Sequence, residues 1–371
     1  MHRIKPPFRA EHVGSLLRPQ AVLQARQRHA KGEIDAAALR RVEDRHIAEA
    51  VRKQEDVGLQ DVTDGEFRRA YFHLDFLQQL AGVSITGGIA ASKNAQQTAD
   101  GFTPPRLAVT GKLAHRRPIQ VADFEYLAEQ ASVLPKVSIP SPTMVHFRGG
   151  RAAIDIESYP DLDVFFDDLA ACYRAEIDAL YQAGCRYLQL DDTNLAYLCD
   201  PDMRAAAEER GDDPNSLPHQ YAALINAALA DRPKDLTVGI HLCRGNYRST
   251  WFAQGGYEPV AEVLFNELAV DAYFLEYDDE RSGDFAPLRH VPENKTVVLG
   301  LVSSKTPELE ARDALARRIE EAGRHVDLDQ ACLSPQCGFS STVEGNELTE
   351  DDQWAKLELV VETARLVWGD A

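Results

Sequence analysis

Leu236-Thr237-Val238-Gly239-Ile240-His241-Leu242-Cys243-Arg244-Gly245-Asn246 opens as an apolar run and closes on ligand-type side chains. Residues 236–240 read as a β-strand. Side chains two apart on a strand face the same way, so His241 and Cys243 project together from its end. An imidazole nitrogen beside a thiolate is half of a tetrahedral zinc site. Gly245 lets the backbone turn sharply just beyond.

The same arrangement recurs on both sides of this stretch. Further strand-like runs fall at 13–15, 59–63, 136–139, 186–190, 270–275, 296–302 and 328–333. Helical periodicity separates most of them. Residues 36–57 carry Leu39, Val42, Ile47, Val51 and Val57, and Gly58 closes the pattern. Residues 161–183 carry Leu162, Phe165, Leu169, Tyr173, Ile177 and Leu180 at spacings of three and four, closed by Gly184. Further helices are expected at 219–230, at 306–322 with Thr306 and Pro307 as N-cap and N1, and at 349–368.

Strands alternating with helices imply a parallel sheet. Nearly every run is followed by polar residues: Asp64-Gly65-Glu66, Asp191-Asp192, Glu276, Ser303-Ser304-Lys305 and Cys337. In a (β/α)8 barrel the active site lies at the C-terminal strand ends. The expected fold is therefore α/β: a single TIM barrel over 1–371, with residues 83–120 as a lid or excursion. Gly87-Gly88, Ser92-Lys93-Asn94 and Thr103-Pro104-Pro105 break periodicity there. An open doubly wound sheet is the other arrangement, but no glycine-rich phosphate loop follows the first strand.

The net charge of −19 argues against nucleic acid and anionic membrane surfaces as partners. No apolar signal segment opens the chain, and the smoothest apolar run, 297–302, is far too short to span a bilayer. A cytoplasmic location is expected, with the six cysteines reduced. Cys172, Cys185, Cys199 and Cys332 then read as buried small hydrophobes. Oligomeric state stays open, a homo-oligomer included.

His241 with Cys243, Glu276 and Cys337 stand at three separate strand ends. Two thiolates, one imidazole and one carboxylate suit Zn²⁺ in tetrahedral geometry. Their wide separation differs from a zinc ribbon, where paired cysteines sit a few residues apart. Spacing alone leaves two readings open: a reactive metal site at a barrel mouth, or a half-buried histidine near unrelated loop residues. Glu66 and Asp191 are candidates to hold an ammonium group, or else to cap helices and pair with Arg68 and Arg69.

Several motifs in order carry a likeness: Val13-Gly14-Ser15, Asp64-Gly65-Glu66-Phe67-Arg68-Arg69, Tyr187-Leu188-Gln189-Leu190-Asp191-Asp192, His241-Leu242-Cys243-Arg244-Gly245-Asn246, Phe274-Leu275-Glu276-Tyr277 and Ser334-Pro335-Gln336-Cys337-Gly338. From about Pro6 to Trp368 the chain resembles the catalytic barrel of cobalamin-independent methionine synthase. It is more similar still to the single-barrel methionine-synthase-like methyltetrahydropteroyltriglutamate–homocysteine methyltransferases.

That resemblance implies a zinc-dependent S-methyltransferase of methionine biosynthesis acting on homocysteine or a similar thiol. It makes His241, Cys243, Glu276 and Cys337 the zinc ligands, with Glu276 the one most readily displaced by an incoming sulfur. Ser15, with nearby backbone N–H groups, falls where the family holds the homocysteine carboxylate, and Glu66 and Asp191 where it holds the ammonium. Lys305 aligns with the family's proton-donating histidine. Phe147, beside Pro142, Thr143 and Met144, aligns with the tryptophan expected to stack on the pterin. The full-length synthase has two barrels and this chain has room for one, so the donor is methyltetrahydrofolate, a corrinoid protein or another carrier. A different reaction on the same zinc is epoxide opening by a thiol, as in the related epoxyalkane–coenzyme M transferases. That sulfonate substrate calls for Arg18, Arg68, Arg69 and Arg244, whereas Glu66 with Asp191 favours an ammonium. Zinc or thiol binding without turnover is the third reading.

Overall fold

Apolar runs rich in β-branched residues pair side by side, and helices cover them. The structure, a computed structural model, describes residues 3–88 and 105–371. Among these, nine strands form: β1 (Asp61–Val62), β2 (Ala81–Gly88), β3 (Pro105–Ala114), β4 (Leu134–Pro140), β5 (Tyr187–Asp192), β6 (Thr237–Leu242), β7 (Ala272–Glu276), β8 (Thr296–Val302) and β9 (Ala331–Pro335). Seven are hydrogen-bonded in the order β1-β4-β5-β6-β7-β8-β9, every pair parallel.

The segment before Ser15 closes the curl. Ala10 bridges Leu333 of β9 in parallel, with Glu11 N–H donating to Leu333 O at 2.8 Å. On its other side, Thr63 Oγ1 donates to Gly14 O at 2.6 Å and Leu16 N–H to Gly65 O at 3.0 Å. This segment takes the place of the first strand of a (β/α)8 barrel. The strand expected at 13–15 is not formed: the pairing is a single bridge at Ala10, and Gly14 (φ +133°) turns the chain four residues later.

The barrel interior is built from Tyr187, Ala272, Phe274, Val298 and Cys332. Gly239 makes room in it: a Cβ there would stand 2.9 Å from the Phe274 ring. Below this layer Lys136 Nζ is fully buried, 2.8 Å from Glu11 Oε2 and 2.7 Å from Asp61 Oδ2. The Tyr187 hydroxyl donates to Glu11 at 2.9 Å.

The helix Leu162–Gln182 buries Phe165, Leu169, Tyr173, Ile177 and Leu180, the face its periodicity marks, and Asp161 caps it. Ala36–Val57 ends at Gly58 in the left-handed conformation, as expected of a C-terminal glycine. Thr349 and Asp352 form a capping box for Glu350–Trp368. One start differs from the sequence reading. The helix expected from Thr306 begins at Arg312, because residues 303–311 are tied down first. There Glu310 accepts from Ser303 N–H at 2.7 Å and from Lys356 Nζ at 3.2 Å.

Within the expected excursion, β2 and β3 pair as an antiparallel ribbon whose Val109 and Leu113 are buried in the main core. Residues 89–104 of it lie outside the described residues. Among the described residues no helix is long and apolar enough to cross a membrane.

Candidate active site

His241 is the penultimate residue of β6, Cys243 follows its end, and Glu276 ends neighbouring β7. Cys337 lies two residues beyond β9. Parallel pairing brings these strand ends to one rim. The four ligand atoms lie within 4.8 Å of one another, and all four residues are buried. The two sulfurs are 3.4 Å apart. Two thiolates about 2.3 Å from one tetrahedral ion stand roughly 3.7 Å apart, so small shifts would seat a zinc. Both His241 ring nitrogens are buried with no hydrogen-bond partner among the described residues. A buried polar atom in that state is costly, and a metal bond relieves it. The donor set fits the ion.

The protonation pattern agrees. The hydrogen bond from Cys243 holds the Cys337 thiol well below its usual range, with His241 adding to the effect against burial. The same sulfur contact, with burial, pushes Cys243 well up. Burial pulls His241 down, but Cys337, Asp191 and Glu276 carry it above its ordinary value.

Neighbours orient these ligands. Cys243 Sγ accepts from Gly245 N–H at 3.3 Å. Glu276 Oε1 accepts from Arg244 N–H at 3.0 Å, and Oε2 from Arg281 Nη2 at 3.2 Å. Arg281 was not legible as a site residue. Its only signal is its place after the acidic run Glu276-Tyr277-Asp278-Asp279. Lys305 is buried at the end of the β8 loop, with Nζ 3.5 Å from Gly245 O.

The residues expected at the amino-acid end gather beside the cluster. Asp191 of β5 is in register with His241 of β6, and its Oδ1 accepts from Gln189 at 2.8 Å. Burial pushes its carboxyl up, against the pull of Arg69 and His241. Glu66 sits at φ +58°, a conformation that costs a non-glycine residue about 1–3 kcal/mol and is often kept at functional sites. Ser15 packs on the turn after Cys337: its Oγ accepts from Ser340 N–H at 3.3 Å. Gly338 is required there, since a Cβ would lie 1.9 Å from that oxygen.

Two expected residues point elsewhere. Phe147 is buried edge-on to Tyr197 and Tyr221, ring centroids 6.0 and 6.2 Å apart, and the Arg210 guanidinium stands 5.4 Å from its centroid. It presents no open face for stacking; aromatic neighbours on the helices claim it. Thr143 is fully buried, donating to Asp192 and accepting from Asn194 at 2.7 Å. Trp251 is 37% exposed, and the guanidinium of Arg281, which holds Glu276, stands 5.8 Å from its centroid.

Of the arginines expected for a sulfonate, Arg18 and Arg68 are engaged, while the Arg244 guanidinium nitrogens have no hydrogen-bond partner among the described residues. Arg18 donates to carbonyls of Thr342, Glu66 and Arg69. Arg68 pairs with Asp44 and lies 3.3 Å from Asp123. Arg244 lies against the Tyr257 ring, 4.4 Å from its centroid.

Comparison with known proteins shows the family. A family model described as "Cobalamin-independent synthase, Catalytic domain" matches residues 8–365. The chain is 49% identical over 366 residues to the uncharacterized protein YxjH of Bacillus subtilis, covering 98% of this chain and 96% of that one. It is 23% identical over 329 residues to the methionine synthase of Pyrococcus abyssi, covering 88% of this chain and 85% of the relative. The solved structure of a candidate vitamin-B12 independent methionine synthase from Listeria monocytogenes superimposes with a TM-score of 0.78 at 38% identity, over 98% of both chains. The chain therefore belongs to the cobalamin-independent synthase catalytic-domain family, methyltransferases of the cobalamin-independent methionine synthase type.

Proposed function

We propose that the protein transfers a methyl group to the thiol of homocysteine, with Zn²⁺ held by His241, Cys243, Glu276 and Cys337 and methyltetrahydrofolate as donor. The observation that carries this reading is the convergence of those four ligand atoms within 4.8 Å, in a buried site beside Glu66 and Asp191. A thiol is mostly protonated at neutral pH and only its thiolate is a good nucleophile. A bound Zn²⁺ lowers the pKa of an added thiol, so that the thiolate persists at pH 7.

The chain's own residues do the rest. Asp191 and Glu66 hold the ammonium group, and Ser15 with the Ser340 N–H borders the carboxylate. Arg281 and the Arg244 N–H hold the two oxygens of Glu276 and would keep that carboxylate oriented toward a bound ion. Trp251 offers a ring face to a flat donor. In the transfer, sulfur forms the new S–C bond as the donor's N–C bond breaks, and the leaving nitrogen takes one proton. Lys305, buried with its Nζ 3.5 Å from Gly245 O, supplies it. Arg18 and Arg68 are held by neighbouring carbonyls and carboxylates, and the paired acids Glu66 and Asp191 favour an ammonium-bearing thiol over the sulfonate of epoxide opening.

The direct test incubates zinc-loaded protein with homocysteine and either methyltetrahydrofolate or methylcobalamin, scoring methionine. Methionine from the folate arm is expected. Methionine from the corrinoid arm alone would overturn the donor, and none from either would overturn the activity. Lys305→Ala should slow transfer from the folate by about 10²-fold, in the usual range for a general acid. It should leave transfer from methyl iodide unchanged, since iodide leaves without a proton. Equal rates of loss with both donors would assign Lys305 a structural role.

A further inference from the structure

A cation already stands between Glu66 and Asp191. Arg69 Nη2 contacts Glu66 Oε2, and Nη1 lies 3.9 Å from Asp191 Oδ2. All three side chains are nearly buried, at 12% exposure for Arg69 and 8% for each acid. The backbone of Arg69 is fixed: its N–H donates to Glu66 O at 3.4 Å and its carbonyl accepts from Arg18 at 2.8 Å. The guanidinium is held less firmly. Its Nε has no partner among the described residues, and Nη1 is outside hydrogen-bond distance of Asp191.

An α-amino acid carries its ammonium and carboxylate on the same carbon. An ammonium entering between these acids meets the guanidinium at close range, where two cations repel strongly in a buried setting. The side chain with a free Nε is the one that yields. The carboxylate arriving with the ammonium is then the anion nearest to it, and a planar guanidinium binds a carboxylate through two parallel hydrogen bonds.

We propose, resting on the homocysteine reading above, that Arg69 determines acceptor specificity: its guanidinium fills the ammonium seat in the free protein and passes to the α-carboxylate when an amino-acid thiol binds. A thiol with an ammonium but no carboxylate displaces Arg69 without giving it a partner. It is selected against although both acids can bind it.

Calorimetric titration of the zinc-loaded protein tests this, with homocysteine and with 3-aminopropanethiol, the same skeleton without the carboxylate. In Arg69→Met, homocysteine should bind at least about tenfold more weakly, the loss of a charge-assisted pair. In the same variant 3-aminopropanethiol should bind about tenfold more tightly, because its competitor is gone. The preference for homocysteine then falls by roughly 100-fold. Arg69→Lys keeps the charge and loses the fork, and its preference should fall by about tenfold. If Arg69→Met does not fold, Arg69→Lys decides alone. Equal changes for the two thiols, or an unchanged preference, overturn the proposal while leaving the homocysteine reading intact. Wild-type protein that binds no homocysteine overturns that reading, and this proposal with it.

Discussion

Cys337→Ala is expected to lose stoichiometric zinc and, with it, thiol methylation. Removing a residue that merely orients a ligand typically weakens a metal site 10–100-fold. Removing a ligand should exceed that, so affinity should fall by more than about 100-fold. The change also strips away the partner that Cys243 hydrogen-bonds at 3.4 Å and that raises His241. Three donors then remain, one of them a histidine no longer biased by a thiolate. Metal analysis after dialysis against a weak chelator, with an unfolding curve on the same sample, separates metal loss from unfolding. One zinc per chain retained together with full activity would remove Cys337 from the ligand set.

Lys136→Met is expected to destabilise the barrel by about 3–5 kcal/mol, the usual consequence of stripping one partner from a buried ion pair. Lys136 is the cation between Glu11 and Asp61, and none of the three is exposed to solvent. Burial and the neighbouring Asp61 push Glu11 up to about 7, while Lys136 and His12 hold Asp61 down to about 2 against burial. The sign follows from these directions. Glu11 binds its proton more tightly folded than unfolded, so its contribution is full below about pH 4.5 and is lost as pH rises toward 7. Asp61 contributes above about pH 4 and loses that contribution as pH falls toward 2. Urea unfolding at pH 7 reads the Lys136→Met change. A loss below about 1 kcal/mol would mean that water reaches the cluster and screens it.

The fold was legible because its signals are local. Period-3.6 apolar spacing from Leu162 to Leu180 and the stop at Gly184 define a helix whichever neighbours it meets. Runs such as 296–302 have no polar face and so belong to a sheet covered on both sides. The four candidate ligands stand out as ligand-type side chains at strand ends, which converge in a parallel barrel, but spacing alone left two readings open and only the family resemblance chose the metal-site reading. What the sequence hid depends on side-chain direction across the barrel. Lys136 reads only as the first residue of the strand run 136–139, and only the closed barrel places it between Glu11 and Asp61. Phe147 aligns with a stacking residue, yet the helices behind it turn its ring inward. Arg69, three residues after Glu66, was visible as a possible partner of the acids. That it sits between Glu66 and Asp191 depends on β5 lying next to the loop after β1.

Zinc-edge X-ray absorption on the protein, before and after adding homocysteine, tests the central claim most directly. One ion per chain is predicted, with two sulfurs at about 2.3 Å and two nitrogen or oxygen donors at about 2.0–2.1 Å, gaining a third sulfur on addition of the thiol. A first shell of nitrogen and oxygen alone, or a sulfur count unchanged by homocysteine, would contradict it.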